Sequence, residues 1–278
     1  MKRVSVVILL FLLLNGCASY RNVTEEVRTI LRIKGSDSML LLVQQLADQF
    51  MVQHSGVSIT VNGGGSGAGI RSLIDGSVEI CATSRPLTPE EVRQLAQKYQ
   101  SVGVSILVAK DALNIVVHPS NRVSDLSVRQ VVDIFTGSTK WWNEIGGDDM
   151  PITVYGRETN SGTFLYFEEH VLLGAKYSSE CVVVPGARGM IGAVAKDSTS
   201  IGYSTSVYAG NVKSVSIDGV VPTTANILKG FYPITRYLYF YTVHQPEGTI
   251  KKFLDWVVSK EGQNVAKANG YIPLYSIE

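Results

Sequence analysis

Small hydroxyl-bearing residues and glycines cluster at three places where a predicted strand passes into a predicted helix. These stretches are GSDS at 35–38, GGGSGAG at 63–69 and RETNSGT at 157–163. The start of a helix presents backbone N–H groups without intrahelical partners and favours negative charge. Glycine lets such a backbone approach a ligand closely. Three junctions of this kind predict a site that binds an anion.

The side chains at these junctions suit a tetrahedral oxyanion. The guanidinium of Arg157 can clamp such a group with two parallel hydrogen bonds. Hydroxyl donors are available from Ser38, Ser66, Ser161 and Thr163. In α/β sheets such ligands lie beyond the carboxyl ends of strands, which is where these loops are predicted. At any single junction, capping of the helix by the hydroxyl is the simpler interpretation.

Two familiar phosphate motifs and a metal site are excluded by spacing. The dinucleotide pattern GxGxxG requires glycine where the chain has Ala68, and the P-loop requires Gly-Lys after the loop, whereas Gly69 precedes Ile70. The chain has no Cys-x-x-Cys pattern, and its four histidines are isolated from one another. We therefore predict neither a metal ion nor a cofactor.

The serine loops also lack the features of an esterase or phosphatase. The chain has no Gly-x-Ser-x-Gly nucleophile elbow, and no histidine lies near any of the three loops in sequence. The sequence therefore favours a binding protein over an enzyme.

The first seventeen residues, MKRVSVVILLFLLLNGC, have the pattern of an export signal. The apolar run Val4 to Leu14 is shorter than the roughly 20 residues needed to cross a bilayer. The following Gly16-Cys17 resembles the lipobox of bacterial lipoproteins. We predict a signal peptide at 1–16, lipidation of Cys17 and a tether over 17–28. The alternative is an ordinary cleaved signal with an incidental cysteine.

The remaining chain carries little net charge. Removal of residues 1–16, which hold two basic residues and no acidic ones, changes the formal net charge from +1 to −1. This balance excludes a broad basic surface for nucleic acid. Cys81 and Cys181 lie in apolar runs and are interpreted as buried free thiols. A disulfide between them is the alternative, because exported proteins form disulfides.

The elements that position these loops alternate along the chain. Apolar residues at 39, 42, 43, 46 and 50 indicate a helix, and Thr88 before Pro89 is a predicted N-cap. The predicted strands cover residues 29–34, 58–62, 78–83, 104–109, 113–118, 152–156, 182–185, 201–204 and 236–242. The predicted helices cover residues 38–53, 70–75, 89–99, 126–136, 162–173 and a last one around 250–258. This alternation predicts an α/β protein with a largely parallel sheet and two lobes.

Over almost all of the mature chain, these motifs resemble the phosphate-binding proteins of bacterial ABC importers. IKGSDSM, VNGGGSGAGIRSLIDGSVEICATSRPL and GRETNSGTF are similar to the ligand loops of that family. DIFTGSTKWWNEIGG, PTTANILKGFYPITRYLYFYT and GYIPL are similar to its scaffold signatures. The resemblance implies a type II periplasmic binding protein fold, with a ligand cleft between two lobes and a hinge of crossover strands. Lobe 1 would comprise residues 29–111 and 238–278, and lobe 2 residues 112–237.

The resemblance also implies a function and a set of ligand residues. The protein would capture inorganic phosphate as a monomer outside the cytoplasm, at the periplasmic or extracellular face. It would remain anchored to the membrane by lipid and would deliver phosphate to the transmembrane subunits of an ABC permease. Carried over by motif, the phosphate-binding residues are Ser38, the backbone of Met39, Ser66, Ser84, Arg157, Ser161, Gly162 and Thr163.

Ser84 is the informative departure from part of this family. Some members have an aspartate there, which accepts the proton of hydrogen phosphate and repels sulfate, although Ser84-Arg85 also resembles one branch. Asp37 and Glu158 lie beside ligand loops and can supply the acceptor, or they are solvated cap residues. Arg85 either reaches the anion or pairs across the cleft, and we expect the second. The alternatives are a receptor for another oxyanion, such as sulfate, and a phosphate sensor or adhesion protein.

Overall fold

The computed structural model describes residues 29–205 and 210–277. The predicted signal peptide, the lipidated Cys17 and the tether lie outside these residues.

The strands are β1 Thr29–Gly35, β2 Val57–Asn62, β3 Ile80–Thr83, β4 Val104–Val117, β5 Asp125–Leu126, β6 Thr153–Gly156, β7 Val182–Val183, β8 Ser200–Thr205, β9 Lys213–Ile217 and β10 Thr235–Thr242. The helices are α1 Leu40–Gln53, α2 Ser66–Asp75, α3 Pro89–Tyr99, α4 Val128–Phe135, α5 Gly162–Tyr166, α6 Ala187–Val194, α7 Thr224–Leu228, α8 Gly248–Val258 and α9 Lys260–Ala268. In both described ranges, every helix is too short or too polar to cross a membrane.

The sheet is parallel at its two ends and antiparallel in its middle. The strand order is β2-β1-β3-β10-β4-β8-β6-β7, with β9 pairing with β4 and β5. β1 runs parallel to β2 and β3, and β6 runs parallel to β7 and β8. β4 and β10 are antiparallel to each other and to their other neighbours in this order. The prediction of a largely parallel sheet was therefore wrong for the strands that cross between the lobes.

Two hydrophobic cores lie on either side of the crossover. One contains α1, whose Leu42, Val43, Leu46 and Phe50 are buried, together with β1, the first half of β4 and α8. The other contains the second half of β4, with Trp142, Phe167 and Tyr203. Ala109 belongs to the first core and Ala112 to the second. The fold is thus the predicted α/β arrangement of two lobes; the limits 29–111, 112–237 and 238–278 remain our proposed boundaries.

Several elements differ from the predictions. The apolar runs 104–109 and 113–118 form one strand, β4, because Lys110, Asp111 and Ala112 between them also pair with β10. The loop after β2 is shorter than the stretch 63–69, because α2 begins at Ser66. The helix α8 is followed by another, α9. The predicted cap of α3 is confirmed: Thr88 Oγ1 accepts the Glu91 N–H, and the Glu91 carboxylate accepts the Thr88 N–H.

Candidate functional site

The predicted ligand loops leave the carboxyl ends of four strands and meet between the lobes. In lobe 1 they follow β1, β2 and β3, and in lobe 2 the loop follows β6 and leads into α5. β1, β2 and β3 are parallel neighbours, so their carboxyl ends share one edge of the sheet. This edge is where α/β proteins hold their ligands.

Hydroxyl groups predicted separately in the two lobes lie close together. Ser38 Oγ is 3.4 Å from Thr163 Oγ1 across the lobes. Ser66 Oγ is 3.4 Å from Ser84 Oγ and accepts the Ser84 backbone N–H at 3.2 Å. All four side chains are at most 3% exposed. We call these four hydroxyls, from Ser38, Ser66, Ser84 and Thr163, the hydroxyl cluster.

Gly162 lets α5 approach the hydroxyl cluster. A Cβ atom built on Gly162 would lie 2.2 Å from Ser66 Oγ and 2.6 Å from Ser84 Oγ. Both distances are far below van der Waals contact, so any larger residue would push the lobes apart. The neighbouring Ser161 Oγ accepts the Phe164 N–H at 3.4 Å and therefore caps α5. Its role as a phosphate ligand stays a prediction.

Arg157 is buried beside two carboxylates. Its Nη2 lies 3.3 Å from Asp37 Oδ2 of lobe 1, and its Nε lies 3.2 Å from Glu158 Oε2. Its side chain is 3% exposed, whereas those of Asp37 and Glu158 are 23% and 34% exposed. Both carboxylates therefore pair with Arg157 while remaining partly exposed, and their role as proton acceptor stays a prediction.

Tyrosines hold the backbone of Arg157 in place. The Arg157 N–H donates to Tyr203 Oη at 3.2 Å, and the Tyr177 hydroxyl donates to the same oxygen at 2.9 Å. Burial raises the pKa of the Tyr203 hydroxyl above its usual range. Tyr203 therefore stays neutral and supports Arg157 by hydrogen bonding alone.

The glycine-rich loop contacts protein groups rather than presenting all its N–H groups to a ligand. Gly64 N–H donates to Asp37 Oδ1 at 2.8 Å, and Gly67 N–H donates to the Asn160 carbonyl at 3.0 Å. Gly65 has a φ of +88°, and a Cβ atom there would lie 2.9 Å from the Asn160 carbonyl oxygen. The close backbone approach predicted from GGGSGAG is thus made to Asn160 of lobe 2. Sequence reasoning did not single out Asn160.

Met39 is the predicted ligand that the geometry supports least. Its backbone N–H, the proposed donor, already donates to the Ser36 carbonyl at 3.0 Å. Its side chain is fully buried in the core of lobe 1. Its contact with an anion stays a prediction.

Arg85 pairs within its own lobe, so the prediction that it pairs across the cleft was wrong. Its Nη1 and Nη2 donate to the two carboxylate oxygens of Glu91 at 2.8 and 2.7 Å. The capping box of α3 turns Glu91 back towards the loop that holds Arg85. Burial alone would raise the pKa of Glu91, but hydrogen bonds from Arg85 and Thr88 outweigh it and place the pKa below its usual range.

Sequence reasoning missed the charged pair Asp111 and Arg236 beside the hydroxyl cluster. They are register partners on the crossover strands β4 and β10, and their side chains are 1% exposed. Arg236 Nη1 donates to Thr163 Oγ1 at 3.0 Å, and its Nη2 donates to Ser38 Oγ at 3.1 Å. Arg236 is the one charged residue in the run ITRYLYFYT, and Asp111 follows Lys110 in the otherwise mostly apolar run VAKDALNIVV. Charged side chains are almost never fully buried unless they are paired, so charges within two buried strands could have indicated a buried ion pair.

The site offers donors for an anion. Hydroxyl and guanidinium groups supply hydrogen bonds to oxyanions, whereas metal ions require several carboxylate, imidazole or thiolate ligands. Within 29–205 and 210–277, no three His, Cys, Asp or Glu residues are grouped to hold a metal ion. Cys81 and Cys181 are free, as interpreted, although Cys181 is only partly buried. Burial raises the pKa of the Cys181 thiol to about 11.

Comparison with known sequences identifies relatives over most of the chain. The family profile of the PBP superfamily domain matches residues 22–261. The chain is 33% identical over 253 residues to the phosphate-binding protein PstS of Bacillus subtilis, covering 90% of this chain and 82% of that protein. It is 31% identical over 263 residues to PstS of Pseudomonas aeruginosa, covering 86% and 81%.

Solved structures agree with the sequence relatives. A putative phosphate ABC transporter substrate-binding protein from Clostridium perfringens, with bound phosphate, superposes with a TM-score of 0.82 and 30% identity, covering 89% of this chain and 100% of that one. An ABC-type phosphate transport receptor from Vibrio cholerae has a TM-score of 0.73 and 27% identity, covering 88% and 100%. The chain therefore belongs to the PBP superfamily, in the family of the phosphate-binding proteins of bacterial ABC importers.

Proposed function

We propose that this protein is an extracytoplasmic receptor that captures inorganic phosphate between its lobes and delivers it to an ABC importer. The observation that carries the proposal is the hydroxyl cluster, to which both lobes contribute, together with the buried guanidinium of Arg157, which contacts Asp37 next to Ser38. Relatives over most of the chain are named phosphate-binding proteins, and the Clostridium perfringens structure holds phosphate.

The proposed ligand residues supply charge and direction in a site shielded from water. Arg157 provides the positive charge, and hydroxyls and backbone N–H groups provide directed donors. Such charge-assisted hydrogen bonds are about twice as strong as neutral ones. They gain further in a site of low dielectric constant. The proposed ligands are Ser38, Met39, Ser66, Ser84, Arg157, Ser161, Gly162 and Thr163.

The carboxylates beside Arg157 can distinguish phosphate from sulfate, although Ser84 replaces the aspartate that does so in some relatives. Ser84 cannot repel sulfate by charge, but Asp37 lies 3.3 Å from Arg157 and belongs to the opposite lobe. A carboxylate there can accept the proton of hydrogen phosphate and would repel a fully deprotonated sulfate. We assign this discrimination to Asp37, with Glu158 beside it.

The proposed role requires no catalysis. The four histidines make their contacts elsewhere: His54 and His170 contact backbone carbonyls of their own helical segments, His118 contacts Ser120, and the His244 ring packs edge-on against Tyr99. A serine hydroxyl needs an adjacent base to become a nucleophile. We therefore expect no turnover of a chromogenic phosphate ester, and measured turnover would contradict the binding role.

The first test is calorimetric titration of the full-length protein in detergent, after removal of bound phosphate by unfolding and refolding. We expect phosphate to bind with a Kd of about 1 μM or tighter, equivalent to about −8 kcal/mol. Sulfate and molybdate are titrated at the same pH and salt. Equal sulfate binding would favour a general oxyanion receptor. Failure of phosphate to bind would refute the proposed function.

We also propose that lipid on Cys17 anchors the protein to the membrane. Cys17→Ser should move the protein from the membrane fraction to the soluble fraction of the cell envelope, because it removes the acylated thiol. Cys181→Ser is the matched control, since Cys181 is a free thiol within lobe 2, and should leave the protein in the membrane fraction. If Cys17→Ser stays in the membrane fraction, the anchor is not this lipid.

A further inference from the structure

Arg236, which is paired with Asp111, contacts two of the proposed phosphate ligands. The inference drawn from this contact rests on the proposed phosphate function. We propose that Arg236 is a positioning residue for phosphate binding. Held by Asp111, it donates to the hydroxyl oxygens of Ser38 and Thr163 and thereby turns their protons towards the anion. Ser38 and Thr163 are then biased towards donating hydrogen bonds to the phosphate.

The pair is held rigidly by the hinge strands. Arg236 Nη2 and Nε lie 2.8 and 3.1 Å from Asp111 Oδ2. The hydroxyl of Thr205 donates to the other carboxylate oxygen, Oδ1. The guanidinium carbon lies 5.8 Å from the centre of the Tyr166 ring, which packs beside it. Arg236 is therefore anchored on β10 and β4, which carry the crossover, rather than on a loop.

The direction of each hydroxyl proton follows from the chemistry of the donor. A hydroxyl has one proton and two lone pairs, and a guanidinium can only donate. Arg236 therefore occupies one lone pair on Ser38 Oγ and one on Thr163 Oγ1. Ser36 Oγ lies 2.8 Å from Ser38 Oγ and can fill the second lone pair of Ser38. The Ser38 proton is then left for the phosphate, whereas Thr163 keeps its proton and one lone pair. The two hydroxyl oxygens are 3.4 Å apart, which is long for an O–H···O hydrogen bond, so an anionic acceptor outcompetes this contact.

Arg236 affects phosphate binding through the orientation of the two hydroxyls rather than through its own charge, because Asp111 neutralises that charge. Burial raises the pKa of Tyr166, so that its ring stays neutral beside the guanidinium. Three arginines on or beside the elements that carry these hydroxyls are each paired with carboxylates: Arg236 with Asp111, Arg157 with Asp37 and Glu158, and Arg85 with Glu91. Hydroxyls biased towards donation favour hydrogen phosphate, which offers more acceptor sites, over dihydrogen phosphate, which carries another proton.

The test is Arg236→Lys in the full-length protein, with phosphate titrated at roughly pH 5.5 and 8.5, on either side of the second phosphate ionisation. Lysine keeps the charge opposite Asp111 but lacks the planar fork that reaches both hydroxyls. We expect about tenfold weaker binding at the higher pH and at most about threefold at the lower pH. The freed hydroxyls can then accept a proton from dihydrogen phosphate.

The matched control is Arg85→Lys. Arg85 also forms a buried two-bond pair with a carboxylate, but it contacts none of the four hydroxyls of the cluster. We expect its phosphate affinity to stay within about twofold of wild type at both pH values. A pH-dependent loss in this control equal to that of Arg236→Lys would overturn the inference.

A second variant tests the role of Arg236 if Arg236→Lys does not fold. Replacing the whole pair, with Arg236→Met and Asp111→Leu together, leaves no unpaired buried charge. It should fold, as circular dichroism can show, and should lose affinity mainly at the higher pH. Unchanged affinity, or an equal loss at both pH values, in the folded variant refutes the positioning role. Wild-type protein that binds no phosphate refutes the proposed function instead.

Discussion

Arg157→Ala is expected to weaken phosphate binding by roughly 10²- to 10³-fold, equivalent to about 3–4 kcal/mol. The change removes the positive charge of the site and leaves Asp37 and Glu158 facing the anion. Calorimetric titration measures the loss directly. Thermal unfolding with and without phosphate provides a second measure, since bound ligand raises the Tm of the wild type and should not raise that of the variant.

The fold should survive this change, because the two carboxylates released from Arg157 are 23% and 34% exposed and can be solvated. Arg85→Ala is the matched control. It breaks an equally buried arginine–carboxylate pair in lobe 1, and it should lower stability while phosphate affinity stays within about threefold. If Arg157→Ala retains wild-type affinity, Arg157 is not a ligand of the site.

Gly162→Ala is expected to weaken phosphate binding by about 100-fold. The added Cβ would overlap Ser66 Oγ at 2.2 Å and Ser66 Cβ at 2.8 Å when the lobes are closed. Overpacking of this kind costs about 1–3 kcal/mol. Because Ser66 belongs to the other lobe, the overlap opposes closure rather than folding of lobe 2. Gly162 is the first residue of α5, so alanine there should change the stability of the helix little.

Affinity should therefore fall in this variant while stability without phosphate stays close to that of the wild type. Phosphate titration measures the first, and denaturant unfolding without phosphate measures the second. Gly192→Ala in α6 is the control, because a Cβ there meets no atom within 4 Å. It should stabilise the protein slightly and leave phosphate affinity unchanged. Wild-type affinity in Gly162→Ala would show that the lobes do not close as tightly as described above.

Much of the local structure could be predicted because its causes are local. The helix α3 was predicted at its observed bounds, since Thr88, Pro89 and Glu91 form a start signal within four residues. The apolar spacing of α1 likewise identified its buried face. In contrast, β4 was predicted as two strands, because Lys110 and Asp111 interrupt an apolar run and only pairing with β10 continues it.

The candidate site shows the same division between short-range and long-range causes. Serines and glycines at strand–helix junctions pointed to an anion site, because helix starts expose donors whatever surrounds them. The sequence did not reveal that Gly67 N–H would meet Asn160, or that Arg85 would pair with Glu91. Both contacts depend on how the loops pack in three dimensions, which the local sequence pattern does not specify.

The sequence by itself determined the family, the α/β elements and the residue types that meet at the site. Only the tertiary structure decided which donors remain for an anion, and it revealed Arg236 and Asp111 as a pair separated by 125 positions in the chain. The physical reason is that capping and periodicity depend on neighbours within a few residues. The pairing of buried charges and hydroxyls depends on which strands fold side by side.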